Sequence, residues 1–114
     1  MNHPEHELQC LIVKALRLNG CMVFSVPNDL AAGNGMRRMM RAKNAGLWPG
    51  MSDLVLVSPD GRAGFLEVKA EGGVLSHYQK TFQSFCVLQK YPFFLAYSVD
   101  AALEFAKKNG FIAK

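Results

Sequence analysis

The sequence predicts a mixed α/β domain with the element order α-β-β-β-α-β-α. Two observations predict it. Two short apolar runs, DLVLV and GFLEVK, flank a Ser-Pro-Asp-Gly turn signal, which reads as a hairpin. A helical apolar pattern then leads to a further short run, FFLAYS. A hairpin followed by a helical crossover implies a mixed sheet with helices on its faces. The chain has 114 residues, half of them hydrophobic, which suits one domain over 1–114 with a true core.

In chain order, residues 5–18 read as a helix, with Leu8, Leu11, Ile12, Ala15 and Leu16 at helical spacing and Asn19-Gly20 as the stop. Cys21–Val26 is a strand ended by Pro27-Asn28. Residues 27–50 hold Gly33, Gly35, Gly46, Pro49 and Gly50 and read as irregular, with a short basic helix possible over Met36–Asn44. Asp53–Val57 and Gly64–Lys69 are the hairpin strands. Residues 76–90 form a helix with Phe82, Phe85, Cys86, Leu88 and Gln89 near one side, followed by Pro92. Phe93–Ser98 is the fourth strand. Asp100–Asn109 is the last helix, capped by Ser98 or Asp100 and stopped by Asn109-Gly110.

No apolar run is long enough to span a bilayer, and the polar N-terminus is no signal peptide, so a cytoplasmic location is expected. Cys10, Cys21 and Cys86 make neither a CxxC pair nor a zinc spacing with His3, His6 or His77, and are expected as reduced thiols in the core. The net charge of +4 is mild, but Arg37, Arg38, Arg41 and Lys43 fall close together. Asp53 and Glu67, by contrast, interrupt apolar segments. A basic patch near isolated acids suggests a phosphate-backbone ligand and a metal.

The hairpin sharpens this. Glu67 and Lys69 are two apart and share a face, while Leu66 and Val68 take the other. If the loop is Pro59-Asp60-Gly61, Asp53 falls directly opposite Glu67. Two carboxylates that close repel unless a cation lies between them, and oxygen ligands select hard ions such as Mg²⁺ or Mn²⁺. Lys69 then stands ready to place a water or to stabilise charge on a phosphate. Each feature alone is commonplace on a solvated strand. Their convergence on one face beside a basic segment is not.

The segment Gly46-Leu47-Trp48-Pro49-Gly50-Met51-Ser52-Asp53, then Glu67-Val68-Lys69, then Ser76-His77-Tyr78-Gln79, resembles the virus-type replication-repair nuclease (VRR-NUC) domain of the PD-(D/E)xK superfamily. The N-terminal Glu5-His6-Glu7-Leu8-Gln9 matches the family's helix motif, and the likeness spans nearly the whole chain. It implies a restriction-endonuclease-like αβββαβ core with an added C-terminal helix. It implies Asp53, Glu67 and the Val68 carbonyl as metal ligands, with Lys69 as the catalytic lysine. Gln79 would support the site from the second helix, and Ser76 would cap that helix. The helix-1 acid, which the resemblance implies as a further catalytic, metal-binding residue, is Glu5 or Glu7, and helical phase sets Glu5 nearer the sheet, within reach of the metal site. Ser52 replaces the family's usual proline, for which a small change of loop geometry and retained activity are expected. Arg37, Arg38, Arg41 and Lys43 are candidate DNA-backbone contacts. Asn28 matches a family position beside the site, and for Trp48 and Tyr78 packing is favoured over stacking on bases. The likeness further implies a Mg²⁺- or Mn²⁺-dependent DNA endonuclease, with a four-way junction as substrate and a homodimer as the working form. The competing readings are a non-catalytic nucleic-acid-binding module and an RNA-directed enzyme of the same superfamily.

Overall fold

In a computed structural model, residues 4–26 and 35–113 are described. The elements are α1 (Pro4–Leu18), β1 (Met22–Ser25), α2 (Gly35–Asn44), β2 (Leu54–Val57), β3 (Ala63–Val68), α3 (His77–Gln89), β4 (Phe93–Ala96) and α4 (Val99–Lys108). The order is the expected one, and α2 is the short basic helix. The sheet runs β1-β2-β3-β4, antiparallel at β1/β2 and β2/β3 and parallel at β3/β4, which α3 connects. Among the described residues no helix is long and apolar enough to cross a membrane.

Period-two alternation splits the sheet into two unlike faces. Val23, Leu54, Leu56, Leu66, Val68 and Ala96 form one buried core with Ile12 and Leu16 of α1 and Ala102, Phe105 and Ala106 of α4. The other face is covered by α3, where Phe82 meets Phe65 edge-on at 5.0 Å and Phe93 at 6.1 Å.

The hairpin turn sets the register of everything that follows. Ser58 N–H donates to the Arg62 carbonyl at 2.8 Å, closing the loop Pro59-Asp60-Gly61. Gly61 takes φ +89°, where a β-carbon is penalised. The Ser58 hydroxyl accepts from Arg62 N–H at 2.8 Å and donates to Asp60. Arg62 in turn reaches the Asn109 carbonyl at 2.7 Å and lies over the Phe111 ring, so the tip is tied to the end of α4.

Several expectations are corrected. Leu11 is 57% exposed and Cys10 is exposed, because α1 buries a narrow stripe through Ile12 and Leu16; Cys10 lies about 200° around the helix from Ile12. Only Cys21 and Cys86 are buried thiols, and burial raises both, Cys86 to about 11. Along α3 the buried position is Cys86, so Leu88, again about 200° away, is 77% exposed, and Phe85 is exposed as well. Of the two expected caps of α4, Ser98 serves, accepting from Ala101 N–H at 3.1 Å, as expected. Trp48 and Tyr78, expected to pack, are both exposed.

Candidate active site

The site lies where the β2–β3 ladder stops. Ser58 and Arg62 are a hydrogen-bonded pair, and such pairs alternate along an antiparallel ladder. Leu54 and Leu66 therefore pair through hydrogen bonds, and the next position brings Asp53 opposite Glu67 in a non-hydrogen-bonded pair. Such pairs have the closest Cα atoms, about 4.5 Å apart. The two carboxylates thus share the α3 face, Asp53 one residue before β2 and Glu67 inside β3.

Asp53 explains why β2 ends there. Its Oδ2 accepts from Val68 N–H at 2.8 Å, taking the bond a further β2 residue would make. Its own carbonyl accepts from Val26 N–H at 3.0 Å, so β1 also anchors it. The residue before it, Ser52, is fully buried, and its hydroxyl donates to the Leu54 carbonyl at 3.1 Å. A local side-chain bond thus shapes the entry to β2 where the family has a proline.

Glu67 is 1% exposed. Gln79 Nε2 donates to its Oε1 at 2.9 Å. The same Gln79 accepts from Ser76 N–H through Oε1 at 2.8 Å, while Ser76 Oγ accepts from Gln79 N–H at 3.2 Å, a complete capping box. Both ends of the Gln79 amide are held, so its orientation is set. The other Glu67 oxygen, Oε2, is buried with no hydrogen-bond partner among the described residues. Burial and then the adjacent Asp53 carboxylate push the Glu67 carboxyl up to about 9; the Lys69 charge and the Asp53 N–H oppose them weakly. A buried acceptor without a donor costs on the order of 1–3 kcal/mol, which makes this oxygen the outstanding polar cost of the face.

Lys69 follows β3 on the Glu67 side, partly exposed, with its N–H donating to the Ala96 carbonyl at 3.1 Å. Its stem lies against Gly73, where an added β-carbon would meet Lys69 Cβ at 3.1 Å. Glu5 reaches the same end of the sheet from α1: its Oε1 lies 3.5 Å from Ala70 N–H, a long contact two residues beyond Val68. Glu7 is exposed. Strand alternation turns the Val68 carbonyl, like its N–H, toward the edge that β2 vacates.

Among the described residues no three Asp, Glu, His or Cys side chains gather closely enough to hold an ion by themselves. The Asp53–Glu67 pair still fits Mg²⁺, which keeps several waters and is commonly held by one or two carboxylates with substrate phosphates. The unpartnered Glu67 Oε2 is the acceptor such an ion would satisfy.

Of the basic residues, Arg37, Arg41 and Lys43 are exposed on α2. Arg37 and Arg41 are one turn apart and share a side, whereas Lys43 lies about 200° from Arg41. Arg38 belongs to the same helix. Asn28 lies outside the described residues.

That Gln79, expected to support the site, also completes the Ser76 cap is not among the readings of the sequence. The S-x-x-Q spacing of a capping box was its signal. Also unread was the contact of Gly50 with α3: at φ +82°, a β-carbon there would lie 2.4 Å from the Tyr78 carbonyl group, so only glycine lets this loop seat on the helix start beside Gln79.

No curated protein and no solved structure matches the chain. The VRR-NUC domain matches residues 3–100, which include both carboxylates, the lysine and the capping box. The chain therefore belongs to the VRR-NUC family of nuclease domains.

Proposed function

We propose that the protein is a Mg²⁺- or Mn²⁺-dependent DNA endonuclease acting on branched DNA, a four-way junction first among candidates, and working as a homodimer. The observation that carries the reading is the pairing of part-buried Asp53 with buried Glu67, one Glu67 oxygen lacking a donor among the described residues and Lys69 on the same side. Asp53, Glu67 and the Val68 carbonyl would hold the ion, with Glu5 as a further ligand reaching in from α1. The ion would polarise a phosphoryl oxygen and acidify nearby water. Gln79 keeps one Glu67 oxygen fixed and leaves the other for the ion, and Val68 N–H does the same service for Asp53 Oδ2. Lys69 supplies a positive charge that orients the attacking water and offsets negative charge growing on the phosphate. Arg37 and Arg41, with Arg38 and Lys43, give salt-dependent affinity for the phosphate backbone. A junction has two strands to cut symmetrically, which two copies about a two-fold axis achieve.

One gel tests this. Labelled four-way, flap and duplex DNA are incubated with the protein and Mg²⁺, Mn²⁺ or a chelator, beside matched RNA. Cleavage of branched DNA is expected only with a divalent ion. Asp53→Ala, Glu67→Ala and Lys69→Ala should remain folded, bind DNA and cut at rates lower by two or more orders of magnitude. Binding without cleavage by the unaltered chain under both ions would instead favour a non-catalytic module, and preference for the RNA junction an RNA-directed enzyme.

A further inference from the structure

Trp48 is the chain's only tryptophan, and 65% of it is exposed. Large aromatic side chains rarely stand in water without a partner. Its ring borders an open apolar groove of about 430 Å³, whose other walls are Met51, Thr81, Phe82 and Phe85. The volume lies in the range of small-ligand sites, and the walls offer flat rings with little to hydrogen-bond.

The groove adjoins the carboxylate site. Its floor, Phe82, packs at 5.0 Å on Phe65, which is on the same face of β3 as Glu67 and two residues, about 7 Å, before it. The Trp48 loop is held in place: Met51 N–H donates to the Trp48 carbonyl at 3.1 Å, and Gly50 sits against the Tyr78 backbone. The chain just before the loop is cationic. Helix α2, GMRRMMRAKN, has four basic residues and no acid, and Arg41 and Lys43 lie in its last turn. A second copy of this net-positive chain would bring its own cationic helix to the same place, whereas a nucleic-acid strand brings phosphates to α2 and bases to the groove.

We propose that this groove seats an unpaired nucleobase, stacked on the Trp48 indole, next to the phosphate that the carboxylates address. The proposal rests on the nuclease reading and names its substrate more narrowly. A base inside a duplex stack has no free face, so the groove selects strands with an unpaired nucleotide near the cut: single strands, flaps and open branch points.

Binding is measured with a chelator present, so nothing is cut. The emission of Trp48 is followed during titration with a thymidine oligonucleotide, the same strand carrying abasic sites, and a blunt duplex. Quenching by the thymidine strand, weaker with the abasic strand and the duplex, is expected. By fluorescence polarisation of labelled DNA, Trp48→Ala should weaken single-strand binding roughly 5- to 150-fold, the range for one lost base stack. Duplex binding should be unchanged, and Trp48→Phe should restore most of the loss. Equal losses on strand and duplex, absence of quenching, or an emission change with protein concentration alone, as a second copy in the groove would give, each overturn the proposal. Cleavage by the unaltered chain without quenching would sink the groove and spare the nuclease reading. Quenching without cleavage under either ion would do the reverse.

Discussion

Glu67 has one oxygen on Gln79 and the other buried without a hydrogen-bond partner among the described residues, and burial with the nearby Asp53 carboxylate pushes its carboxyl up to about 9. A carboxyl whose folded value is raised binds a proton that the unfolded chain has released. Stability from this source is thus complete below the ordinary glutamate value, near pH 4.5, and declines as pH rises toward 9. Urea unfolding of metal-free protein should lose at most about 1.4 kcal/mol per pH unit over that window. Glu67→Gln should flatten the slope. Mn²⁺ should also flatten it and raise the melting temperature, since the ion replaces the proton on the same oxygens. A slope unchanged in Glu67→Gln would show that another group governs it. The facing of Asp53 and Glu67 was readable before any coordinates, because loop length sets hairpin register and register sets the face. The unpartnered Glu67 oxygen was not, since it depends on what α3 brings over the strand.

At the scale of elements, the first turn of α3 is both a helix cap and the wall of the site. Ser76 and Gln79 exchange two bonds, and the Gln79 amide nitrogen donates to Glu67. The two residues should therefore separate in their effects. Ser76→Ala removes a cap and should cost about 1 kcal/mol in denaturant unfolding, with cleavage still detectable. Gln79→Ala frees a second buried Glu67 oxygen and should cost on the order of 1–3 kcal/mol, with a deeper fall in kcat than in KM. Equal kcat losses from both would mean that helix fraying alone disturbs the site. Helix spacing in the sequence located α1, α3 and α4, yet it assigned too wide an apolar face to α1 and α3. A helix buries only the stripe its neighbours cover, and Leu11 and Leu88 fall outside those stripes.

For the molecule as a whole, the sheet divides the labour. One face is packed by α1 and α4 and supplies the large core; the other, under α3, has room for the carboxylates and the Trp48 groove. Each chain holds one such site, so symmetric cutting of a four-way junction needs two chains. Light scattering of the 12.6 kDa chain is expected to give twice that mass, alone or on a junction. A monomer mass with paired incisions intact would refute the dimer.

The sequence by itself determined the element order, the hairpin register, the shared face of Glu67 and Lys69 and the family, because these follow from short-range periodicity and from motifs in fixed order. Only the tertiary structure decided which oxygen of Glu67 lacks a partner among the described residues, that Gln79 joins cap to carboxylate and that Trp48 stands open over an apolar groove. These depend on how elements distant in the chain pack, and burial and long-range contact leave no periodic trace in a string of residues.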